Sequence, residues 1–164
     1  MNIEIMQDSD WIEVSRIYAQ AIEIGFSSVL DQCPNFDYWD RKHYKDLRFV
    51  MRDDHKIVGW SALMPYSDRY AYRGVAEASV YVDPAYHGQG IGKALLSHLV
   101  SKSEEAGIWT VFSKTFASNI ASIKLQESCG FRLVGTHELL GHNRFGEFQD
   151  IVILEHRSKI VEYK

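Results

Sequence analysis

The chain has 164 residues, of which 46% are apolar and 13% aromatic, enough for one well-buried core and far too apolar for disorder. A formal charge of −4, with no run of Lys and Arg interleaved with aromatics, leaves no basic field for nucleic acid. The start MNIEIMQDSDWIE lacks the basic flank and apolar stretch of a signal peptide, and no apolar run approaches the roughly 20 residues of a membrane helix. The expectation is a cytoplasmic protein with no membrane partner.

In chain order, NIEIM alternates apolar and polar residues like a half-buried strand. The next stretch, DSDWIEVSRIYAQAIEIG, sets Trp11, Val14, Ile17, Tyr18, Ala21 and Ile22 at helical spacing. Asp10 with Glu13 forms a capping-box pattern at its start. CPNFDYWDRKHYKDL opens after a proline and mixes aromatics with charges, which suits a shorter helix or a lid over a pocket. LRFVMRDDHKIVGWSALMPY is two β-rich runs around the turn DDHK, a hairpin, and VAEASVYVDP is a strand ending at Pro84. IGKALLSHLVSKSEEAG is amphipathic, with Ile91, Leu95, Leu99 and Val100 on one face and Gly107 as its stop. WTVFSKTF reads as a strand and NIASIKLQESCG as a helix stopped by Gly130. FRLVGTHELL and EFQDIVILEH are two closing strands. No repeat or internal linker interrupts this order, so residues 1–164 are expected to form a single domain. Cys33 and Cys129 lie far apart without CxxC spacing, which signals neither a disulfide framework nor a zinc site; reduced, mostly buried thiols are expected.

Three glycines in five residues, Gly88, Gly90 and Gly92 in HGQGIGK, stand between a strand and a helix. Residues without Cβ let successive backbone N–H groups converge on an anion at the positive end of a helix. A tight turn with no ligand is the plainer alternative. Two other phosphate motifs fail on the letters. A dinucleotide fingerprint needs glycine at Lys93 or at Leu95, and a Walker loop needs glycine at His87 and Ser or Thr at Ala94.

The stretch VYVDPAYHGQGIGKALL resembles the acyl-coenzyme A loop of the GNAT superfamily, [Q/R]xxGx[G/A], with His87, Gly88, Gln89, Gly90, Ile91 and Gly92 in register and only the first position departing. The resemblance continues in ASNIASIKLQESCGFRLVG, an Asn-led helix ending in Gly-Phe, and in GEFQDIVILE as the last strand. VAEASVYVDP and GEFQD are most similar to the phosphinothricin and methionine sulfone acetyltransferase group.

That resemblance implies an α/β fold with a mixed, twisted sheet of about seven strands flanked by helices, and acetyl-coenzyme A as cosubstrate. It implies that the strand before the glycine loop splays from its neighbour at a bulge, so that backbone at Val80 and Val82 pairs with pantetheine. The pyrophosphate would rest on the N–H groups of Gly88 to Gly92, with Lys93 close by. Asn119 matches the residue that bonds the pantetheine arm, and is equally placed to cap its own helix. Glu77 matches the family's general base; alternatively its carboxylate only fixes the strand or the acceptor's ammonium.

Many relatives place a Tyr or His where this chain has Gln126, to protonate the departing thiolate. An amide supplies no proton at neutral pH, so that acid is absent, with Tyr81 and Tyr86 as substitutes or as packing. For the acceptor the candidates are Phe26, Ser28, Tyr72 and Arg73, with Arg69 as a second choice of cation. Phe148 is either a core aromatic or a wall of the acceptor site, acting across a homodimer interface. The seven histidines show no metal-binding pairing, so no metal is expected. The implied reaction is acetyl transfer to the primary amine of a small amino acid or analogue. The alternatives are an acetyltransferase for protein or peptide N-termini and an idle coenzyme A-binding sensor.

Overall fold

The computed structural model describes residues 1–162, so the last two positions of the expected 1–164 domain lie outside the described residues. Strand β1 (Asn2–Ile5) leads through a short turn into helix α1 (Trp11–Ile24), which buries Val14, Ile17, Tyr18 and Ile22 and ends at Gly25 with a φ of 80°. The expected Asp10–Glu13 capping box is not made, because both carboxylates are drawn to the neighbouring strands. Asp10 accepts from Arg52 Nη2 at 2.7 Å and from the Gln7 N–H at 2.9 Å, and Glu13 accepts from the Ile57 N–H at 2.9 Å. The shorter helix α2 (Phe36–Lys42) is capped by Asn35, whose side chain accepts from the Tyr38 N–H.

Strands β2 (Arg48–Asp53) and β3 (Lys56–Pro65) form the expected hairpin, and β4 (Val75–Val82) lies antiparallel beside β3. Helix α3 (Ile91–Glu105), strand β5 (Thr110–Phe116) and helix α4 (Ile120–Ser128) follow, and β6 (Arg132–His142) and β7 (Phe148–Arg157) close the chain. The seven strands form one mixed sheet in the order β1-β2-β3-β4-β5-β7-β6. The fold is α/β, as the sequence resemblance implies.

Side chains of adjacent strand residues point to opposite faces, so the cores on the two sides of the sheet can be read from the strands. Val50, Trp60 and Ala62 pack with Ile17, Ile22 and Trp39 of α1 and α2, whereas Phe49 and Leu63 pack with Leu96, Leu99 and Val100 of α3. Tyr81 on β4 opposes Trp60 at a ring separation of 5.0 Å, which puts the odd-numbered residues Glu77, Ser79 and Tyr81 on the α1–α2 side. Val80 and Val82 face α3 and pack near Ile91 and Leu95. Cys33 and Cys129 are free thiols, half-buried and therefore more accessible than expected.

Candidate active site

Strands β4 and β5 run parallel for only three paired positions, Val75 with Thr110, Ala76 with Val111 and Glu77 with Phe112. Beyond Glu77 they part. The pairing of β4 with β3 continues in unbroken register to Val82, so the backbone from Ala78 to Val82 is paired on one side and open on the other. This is the splay the resemblance implies, but it occurs without the expected bulge: β4 stays straight against β3, and divergence from β5 alone makes the gap.

The gap leads to the glycine loop. Asp83 ends β4 and fixes the turn that follows, accepting from the Ala85 N–H at 3.0 Å, from Arg16 Nη1 at 2.9 Å and with Lys56 Nζ at 3.4 Å. Burial pushes its carboxyl up, but these donors outweigh that effect and hold it below the usual carboxylate range. Gly88 and Gly90 have φ values of 77° and 78°, which L side chains rarely adopt, and Gly90 is the N-cap of α3. A Cβ on either would meet no protein atom within 4 Å, so the space beside them is open to a ligand. The backbone N–H groups at the start of a 15-residue helix thus face an uncovered volume.

Loop, gap and helix termini enclose one cleft of about 1130 Å³. Among the described residues lining it, Glu77 is the only carboxylate, against four lysines (Lys42, Lys93, Lys114 and Lys124) and two histidines, His43 and His87. A chain of net charge −4 therefore concentrates cations where the glycine loop opens. His87 folds back, with Nε2 3.1 Å from the Val82 carbonyl. His43 stacks on Trp39 at 4.3 Å, and burial pushes its imidazole below the ordinary range, which keeps it neutral at pH 7.

Glu77 lies at the apex of the splay with its side chain 18% exposed, and its Oε2 is 3.6 Å from Lys114 Nζ. Ser28 also lines the cleft, as do Val80, Val82, Ile91 and Asn119. Asn119 does cap α4, its Oδ1 accepting from the Ser122 N–H at 3.1 Å, while its Nδ2 donates to the Phe26 carbonyl at 3.4 Å. Gln126 is buried and committed. Its Oε1 accepts from the Ser113 hydroxyl, and its Nε2 donates to Thr115 Oγ1 at 3.0 Å and Ser122 Oγ at 3.1 Å. The Tyr81 hydroxyl donates to the Ser27 carbonyl at 3.3 Å beside Tyr18, and burial pushes its phenol up to about 12.

Six expected site residues lie elsewhere. Phe26 is 54% exposed and only its carbonyl approaches the site; Gln89 points to solvent. Tyr72 and Arg69 border a separate hollow with Tyr66 and Asp68. Arg73 packs its guanidinium 4.2 Å from the Tyr70 ring and 5.1 Å from Trp109, and donates to the Tyr70 carbonyl. The reason is position: the 66–74 loop precedes the first residue of β4, whereas the cleft opens beyond Glu77. Phe148 is 62% exposed and set edge-on to His142, outside the cleft of this chain.

Sequence reasoning missed Lys114 as a cleft residue and singled out none of Tyr38, Trp39, Lys42 and His43, although their segment reads as a short helix or a lid over a pocket. For Lys114 a signal existed: it interrupts the alternating stripe Phe112, Lys114, Phe116 with a charge where an apolar residue belongs. Among the described residues no group of three or more His, Cys, Asp or Glu is placed to hold a metal ion, and no helix is long and apolar enough to cross a membrane.

Residues 11–131 match the model of the acetyltransferase (GNAT) family, and the chain belongs to that family. It is 29% identical over 160 residues to a phosphinothricin N-acetyltransferase of Alcaligenes faecalis, an alignment spanning 93% of this chain and 80% of that one. It is 47% identical over 85 residues to the ribosomal protein bS18-alanine N-acetyltransferase of Escherichia coli, spanning 52% and 54% of the two chains. A Salmonella typhimurium protein solved with its cofactor acetyl-CoA shares the fold at a TM-score of 0.89 and 24% identity, over 100% of this chain and 98% of that one.

Proposed function

We propose that this chain transfers the acetyl group of acetyl-coenzyme A to the primary amine of a small amino acid or a close analogue, working as one domain in the cytoplasm. The observation that carries the reading is the position of Glu77, the only carboxylate among the cleft's described residues, at the last paired position before β4 and β5 part. A pantetheine arm entering that gap finds free backbone at Ala78–Val82, including Val80 and Val82, and a phosphate finds Gly88–Gly92, Lys93 and Lys124. Asn119 sits beside that path.

The acceptor must reach the thioester as a neutral amine. Its nitrogen attacks the carbonyl carbon, the C–S bond breaks with its electron pair going to sulfur, and Glu77 takes the proton the nitrogen gives up. Gln126 donates no proton, and a thiol of pKa about 8.5 leaves as thiolate without one. The Tyr81 phenol stays protonated, with its O–H given to the Ser27 carbonyl on the acceptor side.

The near full-length similarity to a phosphinothricin acetyltransferase supports a small acceptor, and the half-length similarity to a ribosomal-protein alanine acetyltransferase supports the second reading, a peptide N-terminus. Exposed Leu139, Leu140, Phe145 and Phe148 at the β6–β7 end support a homodimer within the same proposal. A thiol-release assay over free amino acids, methionine sulfone, methionine sulfoximine, phosphinothricin and Ala-led peptides tests the acceptor. Turnover confined to free amino acids or their analogues is expected; turnover confined to peptides overturns the acceptor class.

A further inference from the structure

The Glu77–Lys114 pair has a chemistry the acetyl transfer itself does not use. Both side chains emerge on the α1–α2 side of the sheet, from the two strands that diverge at this point, with Oε2 and Nζ 3.6 Å apart. An α-amino acid carries the complementary pair, an ammonium and a carboxylate separated by one carbon. We propose that Lys114 is the receptor for the acceptor's α-carboxylate, so that the free protein holds its own ion pair where the substrate's zwitterion will lie.

The assignment rests on the proposed acetyl transfer to a free amino acid, and it narrows the acceptor to one with an unblocked α-carboxylate. Three observations carry it. The arginines expected to serve this purpose face away from the cleft, Arg73 against Tyr70 and Trp109 and Arg69 in its own hollow. Of the cations lining the cleft, Lys93 lies in the first turn of α3 and Lys124 on α4, where phosphates approach, and His43 is neutral at pH 7. Lys42 stands at the end of α2 over the Tyr38 ring, leaving Lys114 as the cation in reach of Glu77. Its side chain is 51% exposed, so the ammonium can leave Glu77 for an incoming carboxylate on a flexible four-carbon stem.

The exchange is balanced in charge. The acceptor's ammonium first replaces Nζ at the Glu77 carboxylate while its carboxylate follows Nζ, and loss of a proton to Glu77 then frees the nitrogen for attack. A peptide N-terminus carries an amide in place of the carboxylate and leaves Lys114 unpaired, so the same lysine discriminates against the alternative acceptor class.

The test compares methionine sulfone with its α-carboxamide as acceptors, in wild type, Lys114→Gln and Lys114→Arg, with acetyl-coenzyme A affinity measured by calorimetry. Wild type is expected to prefer the free acid by about 10–100-fold in kcat/KM, the range of one hydrogen bond to a charged group. Lys114→Gln should erase that preference by raising KM for the acid far more than for the carboxamide, with cofactor affinity unchanged, and Lys114→Arg should largely restore it. Preference retained in Lys114→Gln, or equal losses on both acceptors, would overturn the assignment while leaving the acetyl transfer intact. Wild-type turnover of peptides alone would overturn the acceptor class and this assignment with it.

Discussion

Arg16 Nη1 donates to Asp83 Oδ2 at 2.9 Å, joining the middle of α1 to the residue at which β4 turns into the glycine loop, 67 positions further along the chain. The Asp83 side chain is 5% exposed while Arg16 and Lys56 remain partly in solvent, so the pair acts as a buried acceptor fed from the surface. Asp83→Asn keeps the Ala85 cap but loses the charge. It should cost about 1–2 kcal/mol, a magnitude discounted for the exposure of both cations, and should weaken acetyl-coenzyme A binding through the loop. Urea denaturation with calorimetry on the same variant measures both.

The same carboxylate makes stability depend on pH with a definite sign. Its folded-state pKa lies below the unfolded value, so the unfolded chain binds more protons, and the stabilisation is complete above about pH 4 and is lost as pH falls through the folded value. Asp40, whose carboxyl the Arg48 guanidinium holds down at 2.5 Å, behaves alike. Denaturation midpoints measured from pH 6 to pH 3 should fall steeply for wild type and less steeply for Asp83→Asn. Parallel curves would remove Asp83 from the account.

Gly90→Val should fold, since nothing lies within 4 Å of the added Cβ, at a cost of about 1–3 kcal/mol for a branched residue at a φ of 78°. Affinity for acetyl-coenzyme A should drop by more than tenfold, because the new side chain occupies the space the anion needs. Calorimetry on the folded variant checks this, and unchanged affinity would place the phosphates elsewhere.

Glu77→Gln and Gln126→Leu should separate chemistry from architecture. Loss of the proposed base Glu77 should lower kcat by about 10²–10⁴-fold with acetyl-coenzyme A affinity unchanged. Removing the Gln126 amide strips three hydroxyls of a partner and should cost about 1–3 kcal/mol of stability with a smaller effect on kcat. Steady-state kinetics beside thermal unfolding distinguishes the two; a larger kcat loss in Gln126→Leu reverses the roles.

Much of the fold was readable because its signals are local. Hydrophobic periodicity marked α1 and α3, the DDHK turn joined β2 to β3, and Gly25, Gly107 and Gly130, each in the left-handed region, stop helices where the pattern ends. The glycine-loop side of the cleft was equally readable, since spacing within one segment sets Gly88, Gly90 and Gly92 along it. The opposite side was not. It is assembled from α2, the loop after α1, β4 and β5, and which residues meet there depends on sheet order and strand parity, which no single window contains. Arg73 and Tyr72 illustrate the failure: aromatic and cationic letters beside the central strand suggested a pocket, but they precede its paired end instead of following its open one. Lys114 shows the reverse, a residue that becomes meaningful only once β5 is set next to β4.

Among the described residues, the three rungs that join β4 to β5 are the only ladder between a block of four strands and a block of three. Within the sheet this is a fault line, and it ends at Glu77. Any molecule that adds main-chain bonds along Ala78–Val82 extends the ladder and stiffens the joint, and its departure loosens it again in every catalytic cycle. The amides of that segment which face the gap should therefore exchange with solvent quickly in the free protein and slowly in the loaded one, a built-in gauge of occupancy that needs no label. Glu77, the proposed proton acceptor, thus also stands at the end of the three rungs that join the two halves of the sheet.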